Sequence, residues 1–505
     1  MASRLSWPYF DPDFDSLVDR IEPRVCIDNE ACETCTLVKV DSANRHGILL
    51  EMVQLLTDLD LVIFKSYISS DGGWLMDVFH VADQFGNKLT DPVLIHYVQQ
   101  ALGRGQRERG WATREVTTCL GKLVGAAHLA CDYAAVEVTS TDQPGLLSEI
   151  AAVLTELSCQ VLCAQAWTHK SIAAIVLYLL DGSTRAPITD ADRLANIERQ
   201  VDILVEAHQV PGHRRRVKAA GPTPGRVHTE RRLHQLLYEA GDYEAGPPPP
   251  PVDPDLEAFR GQKLPLLASS ANAMTKTRVS IDSWKKRGYS VVNIQSRDRP
   301  KLLFDTVCTM TDMDYSVFHA TVGSHGPLAV QEYYIQDMYG CTLESEMEKQ
   351  KVIRCLAAAV QRRVSNGLRL EVSGRDRPGL LSDVTRVLRE NSVSLTRAEC
   401  ATRGERATMT FYVTTASGGG DVDPKRVVAS VEEELGEGIK AAVSSGSVGA
   451  LNRSSSINDV QSATITTAGG VAARSKSTTS VRASFGSLLW SHIERLSNNF
   501  GSISP

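Results

Sequence analysis

The sequence predicts an α+β chain of repeated ferredoxin-like βαββαβ modules, and three observations predict it. A strand–loop–helix signature recurs four times, its spacing is that of small modules, and inside each copy the apolar period changes between strand and helix values. The copies are TLVKVDSANRHGILLEMVQLL from Thr36, AAVEVTSTDQPGLLSEIAAVL from Ala134, YSVVNIQSRDRPKLLFDTVCTM from Tyr289 and LRLEVSGRDRPGLLSDVTRVL from Leu368. Anchored on His46, Pro144, Pro300 and Pro378, they stand 98, 156 and 78 positions apart.

In the second copy Val136 and Val138 alternate as a strand. Leu146, Leu147, Ile150, Val153, Leu154 and Leu157 then share one helical face. Residues 160–169 and 172–180 read as a hairpin, and 190–207 as a second helix with Thr189 as its N-cap. The third copy gives helix 302–313, strands 316–323 and 329–337, and helix 344–363. Only 364–367 then separate it from the next strand, so its own final strand has no visible source. In the first copy an extra segment, 113–132, is the candidate for that strand.

The expected organisation is an N-terminal segment 1–33, modules at 34–120, 133–211, 288–366 and 367–440, a Pro-rich basic linker 212–283 and a tail 441–505. The linker holds five consecutive prolines, Pro247 to Pro251, the basic runs HRRRVK and 226–232, and one helix at 229–238. Its composition cannot supply a core of its own. The tail is read as disordered over 444–482, with an amphipathic patch at 485–490. Neighbouring modules are at high local concentration, so the first is expected to pair with the second and the third with the fourth.

Net charge −6 and a pI near 6.1 exclude a partner held by phosphate neutralisation, so nucleic acid is not expected. An RNA-reading sheet is also disfavoured, because the adjacent Tyr333 and Tyr334 face opposite sides of a strand. No segment is long and apolar enough to span a membrane, and no leader is recognised, so an intracellular location, cytoplasmic or nuclear, is expected. Eleven cysteines without regular spacing fit reduced thiols. Cys32-x-x-Cys35 is read as small buried thiols, and Cys159 and Cys163 as strand residues. No second metal-ligand pair accompanies them, so no metal or cofactor is expected.

The loop between first strand and first helix carries the binding chemistry. The opening turn of a helix has unpaired N–H groups and the positive end of the dipole, which suits a carboxylate. Glycine lets a ligand approach the backbone. Asn44, Asp142, Asp298 and Asp376 can cap the helix or accept a bond from an ammonium group. The candidate ligand residues are therefore Asn44, Arg45 and Gly47; Asp142, Gln143, Gly145 and Leu146; Asp298 and Arg299; and Asp376, Arg377, Gly379 and Leu380. The first loop lacks Asp and Pro, and the third has Lys301 where the glycine belongs, which leaves the second and fourth as the best candidates.

These loops resemble those of ACT domains, and the chain resembles the plant ACT-domain-repeat (ACR) proteins. The resemblance is carried by the loops and by HTERRLHQLLYEAGDYE from His228, QEYYIQDMYG from Gln331 and GRDRPGLLSDVTRVLRENSVSLTRAE from Gly374. It implies ACT folds, amino-acid binding between paired modules, and kinship with the ACT pair of a glutamine-sensing bacterial uridylyltransferase. No transferase chemistry is expected to accompany it. Asp11-Pro12-Asp13 and Asp190-Ala191-Asp192 lack the context of a metal-binding Asp-x-Asp pair, and neither a phosphate-binding loop nor a nucleophile elbow occurs. The expectation is a non-catalytic regulatory sensor with an amino-acid ligand, a protein partner and scope for homo-oligomers. The alternative is a ligand-free interaction scaffold built from the same modules.

Overall fold

The computed structural model describes residues 24–71, 74–103, 115–125, 132–208, 214–223, 226–244, 277–364, 367–415, 423–436 and 438–445. Module 1 runs β1 (Arg24–Asp28), β2 (Thr36–Ala43), α1 (Ile48–Asp58), β3 (Val62–Asp71), β4 (Trp74–Ala82) and α2 (Pro92–Gly103). A short hairpin, β5 (Val116–Thr117) and β6 (Leu123–Val124), follows. Module 2 is β7 (Ala134–Thr141), α3 (Leu146–Glu156), β8 (Cys159–His169), β9 (Ile172–Asp181), α4 (Ala191–Ala207) and β10 (Arg216–Ala220). Helix α5 (Thr229–Ala240) stands between the two halves of the chain.

Module 3 is β11 (Arg278–Trp284), β12 (Tyr289–Arg297), α6 (Leu302–Asp312), β13 (Tyr315–His325), β14 (Leu328–Asp337) and α7 (Glu346–Arg362). Module 4 is β15 (Leu368–Arg375), α8 (Leu380–Glu390), β16 (Val393–Arg403), β17 (Arg406–Thr415), α9 (Pro424–Leu435) and β18 (Lys440–Ser445). No helix among the described residues is long and apolar enough to cross a membrane.

The missing strand of module 3 is supplied from before the module. β11 pairs antiparallel with β12, from Arg278 opposite Gln295 to Trp284 opposite Tyr289, and β1 does the same for β2 in module 1. Modules 1 and 3 are thus permuted, carrying first the edge strand that modules 2 and 4 carry last. This corrects four expected boundaries. β1 lies in the N-terminal segment, β10 and β11 lie in the linker, and β18 runs past residue 440 into the tail. Segment 113–132 supplies only the β5–β6 hairpin among its described residues. Pro247 to Pro251, the tail beyond Ser445 and the 485–490 patch lie outside the described residues.

The pairing of modules also differs from expectation. The sheets run β1-β2-β4-β3-β13-β14-β12-β11 and β10-β7-β9-β8-β16-β17-β15-β18, so module 1 joins module 3 and module 2 joins module 4. His319 to Gly323 pair with Ser69 to Lys65, and Arg397 to Ala401 pair with Trp167 to Cys163. Local concentration favours neighbours but does not choose between similar edges; side-chain complementarity across the contact does. Every module has a bulge in the strand that follows its first helix, immediately before the joining segment, at Phe64, Leu162, Phe318 and Thr396. A bulge increases the local twist and re-aims the strand, here at the start of each edge contact. Each first helix also ends in a left-handed non-glycine residue, Asp60, Ser158, Asp314 or Ser392, with φ between 55° and 62°. The fourfold repeat therefore extends to backbone detail.

Each sheet buries one face under four helices, and the two cores are separate apolar clusters. The other face of the second sheet is covered by α5. Leu233, Leu236, Leu237 and Ala240 pack on Ala135, Trp167, Ala174 and Val176. The opposite side of α5 meets α6 and α7 of module 3 through charge. Glu230 accepts from Arg363 at 3.0 Å and from Lys301 at 2.6 Å. His234 meets Asp305 at 2.8 Å through Nε2, while its Nδ1 faces an Arg362 N–H at 3.0 Å. That network fixes a neutral imidazole with the proton on Nε2. Burial also lowers the His234 pKa, against the raising influence of Asp305.

Arg362 makes two 2.7 Å bonds to Asp242, which also meets His169 of β8 at 2.8 Å. The Trp167 ring from β8 lies 4.5 Å from the Arg363 guanidinium. Further out, Arg232 grips Glu137, Arg231 grips Asp312, and His228 meets Asp58 at 3.0 Å. The HTERRLHQLLYEAGDYE segment is therefore a clamp between the two sheets.

Arg362→Met leaves the Asp242 carboxylate buried without its guanidinium, and is expected to cost about 3–5 kcal/mol in urea unfolding. Adding Asp242→Leu removes the stranded charge and is expected to restore most of that loss. A double variant no more stable than the single one rules out the buried pair as the source.

Candidate functional site: the loop clefts between paired modules

In all four modules the loop leading into the first helix ends in a left-handed residue that caps that helix. These are Gly47 (φ 82°), Gly145 (φ 91°), Lys301 (φ 63°) and Gly379 (φ 79°). None of these helices has a side-chain cap bond, so the expected capping by Asn44, Asp142, Asp298 and Asp376 is not what the structure shows. Asp142, Asp298 and Asp376 instead use their backbone N–H groups, which bond the hairpin-turn carbonyls of Ser171, Pro327 and Glu405 at 2.7–2.8 Å. Their carboxylates are left for other partners.

Pairing brings each loop against the partner's first helix. A Cβ at Gly379 would lie 3.3 Å from Thr155 Cγ2, one at Gly47 3.9 Å from Thr311 Cγ2, and one at Gly145 2.5 Å from Arg389 Cδ. Thr155, Thr311 and Arg389 occupy one equivalent position, ten residues after the left-handed residue of their own module.

A second pattern concerns the arginines. Arg45, Arg299 and Arg377 each pair with an acid in the first turn of their own helix, Glu51, Asp305 (2.7 Å) and Asp383 (2.6 Å). The second loop has Gln143 at that place, and Arg389 of module 4 reaches across to Glu149 at 3.3 Å instead. Arg389 thereby occupies the space in front of Gly145. Asp142 lies in the same loop, and burial raises its carboxyl pKa to about 6 despite a bond to Thr168. Leu146 is buried in the core.

The third loop is built into the sheet junction. Lys301 reaches Glu230, and Arg299 bonds Asp305 and the Val360 carbonyl, the latter at 2.7 Å. Arg299 therefore faces the clamp rather than an open site.

The fourth loop borders open space. A narrow cleft, continuous with solvent, lies between Ala151, Thr155, Cys159 and Val161 of module 2 and Asp376, Gly379, Leu380, Cys400 and Met409 of module 4. The Gln160 side-chain amide from the start of β8 donates to Asp376 Oδ2 at 2.6 Å, so modules 2 and 4 share its polar end. The first intrahelical bond of α8 runs from Asp383 N to Gly379 O, which leaves the Leu381 and Ser382 amides at the start of the helix without an intrahelical acceptor.

Sequence reasoning missed Gln160, Thr155 and Arg389, because their roles depend on a partner module. Aligning the repeats would have flagged Arg389, which stands where the other modules have Thr57, Thr155 and Thr311. It also missed Asp77, whose buried carboxyl faces the core of module 1 at the place where module 4 has Met409. Both Asp77 oxygens lack a hydrogen-bond partner, and burial pushes the group well above the usual carboxylate range.

Comparison with known proteins identifies the family of these modules. The ACR family N-terminal ACT domain matches residues 31–109, and the ACT domain matches residues 368–432. The chain is 45% identical over 502 residues to the ACT domain-containing protein ACR1 of Arabidopsis thaliana, covering 98% of each. It is 46% identical over 428 residues to ACR3 of the same plant, covering 85% of this chain and 89% of that one. A shorter similarity, 38% over 85 residues, links it to a bifunctional uridylyltransferase/uridylyl-removing enzyme of Azospirillum brasilense, covering 17% of this chain and 9% of that one. With four modules of one fold and near full-length similarity to these relatives, the chain belongs to the ACR family of ACT-domain proteins.

Proposed function

We propose that this chain is a non-catalytic regulatory protein that binds a free α-amino acid in the cleft between modules 2 and 4. The observation that carries the reading is the set of groups at one end of that cleft. Gly379 in its left-handed conformation and the amides of Leu381 and Ser382 form a receptor for a carboxylate. Asp376, bonded to Gln160 across the module boundary, is the acceptor for an ammonium group. Leu380, Cys400 and Met409 form the floor of the cleft, so a ligand's side chain would be received there as modules 2 and 4 move apart. Binding would act on the arrangement of modules 2 and 4 only through its differential affinity for two arrangements. An altered arrangement would then change contact with a protein partner.

The second loop is closed rather than bound. Arg389 fills the approach to Gly145, and Asp142 carries a burial penalty that no described cation offsets. For loops two and three the scaffold reading is the better one, since both are occupied by side chains of the fold itself.

Thermal-shift titration with the twenty amino acids tests the cleft. One ligand at 100 times its Kd is expected to add about 2.7 kcal/mol to stability, and Asp376→Ala and Gly379→Val are expected to abolish the shift. No shift with any amino acid overturns amino-acid binding and leaves the scaffold.

A separate titration tests the closed second loop. The raised pKa of Asp142 means that its penalty is absent below about pH 4 and complete above about pH 6. Asp142→Asn is expected to stabilise the protein at pH 7 by at most about 3 kcal/mol, less in proportion to solvent access, with no difference near pH 4. An equal effect at both pH values excludes ionisation as the cause.

A further inference from the structure

Ahead of β2, a loop holds two cysteines that amino-acid binding does not use. Cys32 and Cys35 have the C-x-x-C spacing, and their sulfurs lie 3.2 Å apart, against the roughly 2.05 Å of a disulfide bond. A small displacement would join them. The two are not equivalent. Cys35 is buried, with Leu37 and Val78, on the face of the first sheet away from its helices, whereas Cys32 is half-buried and the Thr34 hydroxyl lies 3.5 Å from its sulfur. The sequence reading of both as buried thiols is corrected here for Cys32.

The loop is fixed by its own bonds. Asp28 Oδ1 accepts the Glu30 and Ala31 amides, each at 2.9 Å, and Asn29 bridges to the Leu89 carbonyl at 2.8 Å. The chemistry agrees with the geometry. Burial acts to raise the Cys32 pKa, but bonds from Thr34 and Cys35 outweigh it and hold the thiol at about 7. Burial pushes Cys35 up to about 12. An accessible thiolate beside a buried thiol is the arrangement of an attacking and a resolving cysteine.

We propose that Cys32 and Cys35 form a redox-active dithiol that exchanges with low-molecular-weight disulfides. The Cys32 thiolate attacks one sulfur of the disulfide, forming a mixed disulfide and expelling one thiolate. Cys35 then gives up its proton and attacks Cys32 Sγ, closing the Cys32–Cys35 bond and releasing the second thiol. Two cysteine thiols are oxidised and one disulfide is reduced to two thiols, so atoms and electrons balance. This redox site is independent of the amino-acid cleft.

The test uses the full chain, oxidised glutathione as the probe, and peptide mapping after alkylation. In the wild type a linked Cys32–Cys35 peptide lacking two hydrogens is expected. Cys35→Ser is expected to stop with one glutathione on Cys32, and Cys32→Ser to give neither product. The exposed Cys26, Cys119 and Cys341 are internal references. At pH 7 a thiol held at about 7 is roughly half ionised, against about 3% for an ordinary free thiol of pKa about 8.5, and its lower intrinsic nucleophilicity offsets part of that gain, so Cys32 is expected to react about threefold faster than an ordinary free thiol. The proposal is overturned if Cys32 reacts no faster than these references, or if the wild-type disulfide joins other cysteines. The wild-type map needs no substitution, so a variant that fails to fold leaves the test intact.

Discussion

The structure depends on a set of charges buried between helix α5 and module 3. Glu230, Asp242 and Asp305 are buried with Arg362 and Arg363, in a cluster that also takes in Arg299, Lys301 and the neutral His234. Removing any one of these groups strands a charge in a low-dielectric interior, which is far costlier than never having buried it. Helix α5 supplies Glu230 and His234, Asp242 follows two residues after its end, and module 3 supplies the remainder. The apolar side of α5 would fit many flat sheet faces. Its charged side fits only where these arginines and Asp305 converge. The helix thereby sets the relation between the two eight-stranded sheets, and module 3 could not slide along α5 without breaking several charge-assisted bonds.

That demand explains why four similar loops ended in different states. The clamp takes the third loop whole, and Lys301 holds a left-handed conformation where glycine would be easier. The second loop lost its own arginine to Gln143, and Arg389 crossed the module boundary to serve Glu149. The cost was the space in front of Gly145. The fourth loop, with a threonine opposite its glycine and an arginine engaged within its own turn, combines a bare glycine with a solvent-continuous cleft, and the first loop repeats the same threonine and arginine pattern around Gly47.

What was legible in the sequence was local. The α6 helix and the β13–β14 hairpin lie within a few residues of their expected places, because period and turn chemistry are set by nearest neighbours. The edge strands were not legible. RVKAA at Arg216–Ala220 is five residues long and sits in a basic run, and its role as a strand comes from β7, nearly eighty positions upstream. RVSIDSW at Arg278–Trp284 alternates, but the permutation places it before the module it completes. Module pairing was hidden for a related reason. All four joining edges share the same bulge and the same offset, and the residues that break this symmetry, Arg389 and those of α5, have meaning only once the partner is known.

The same geometry bears on how the cleft and the clamp communicate. Strand β8 contributes Cys159, Gln160 and Val161 to the cleft at one end. It contributes Trp167 and His169 to the α5 junction at the other. The bulge at Leu162 lies between them, immediately before the residues that join modules 2 and 4. A ligand bridging Asp376 and Gln160 would therefore press on a strand whose far end stacks on Arg363 inside the charge cluster. Packed interiors respond to such a push by switching between arrangements rather than by deforming smoothly. The cluster also makes partial opening expensive, since it is stable complete and costly when half-formed. Coupling from an amino-acid cleft to the relation between the two sheets would then follow from one shared strand, without any contact between the ligand and module 1 or module 3.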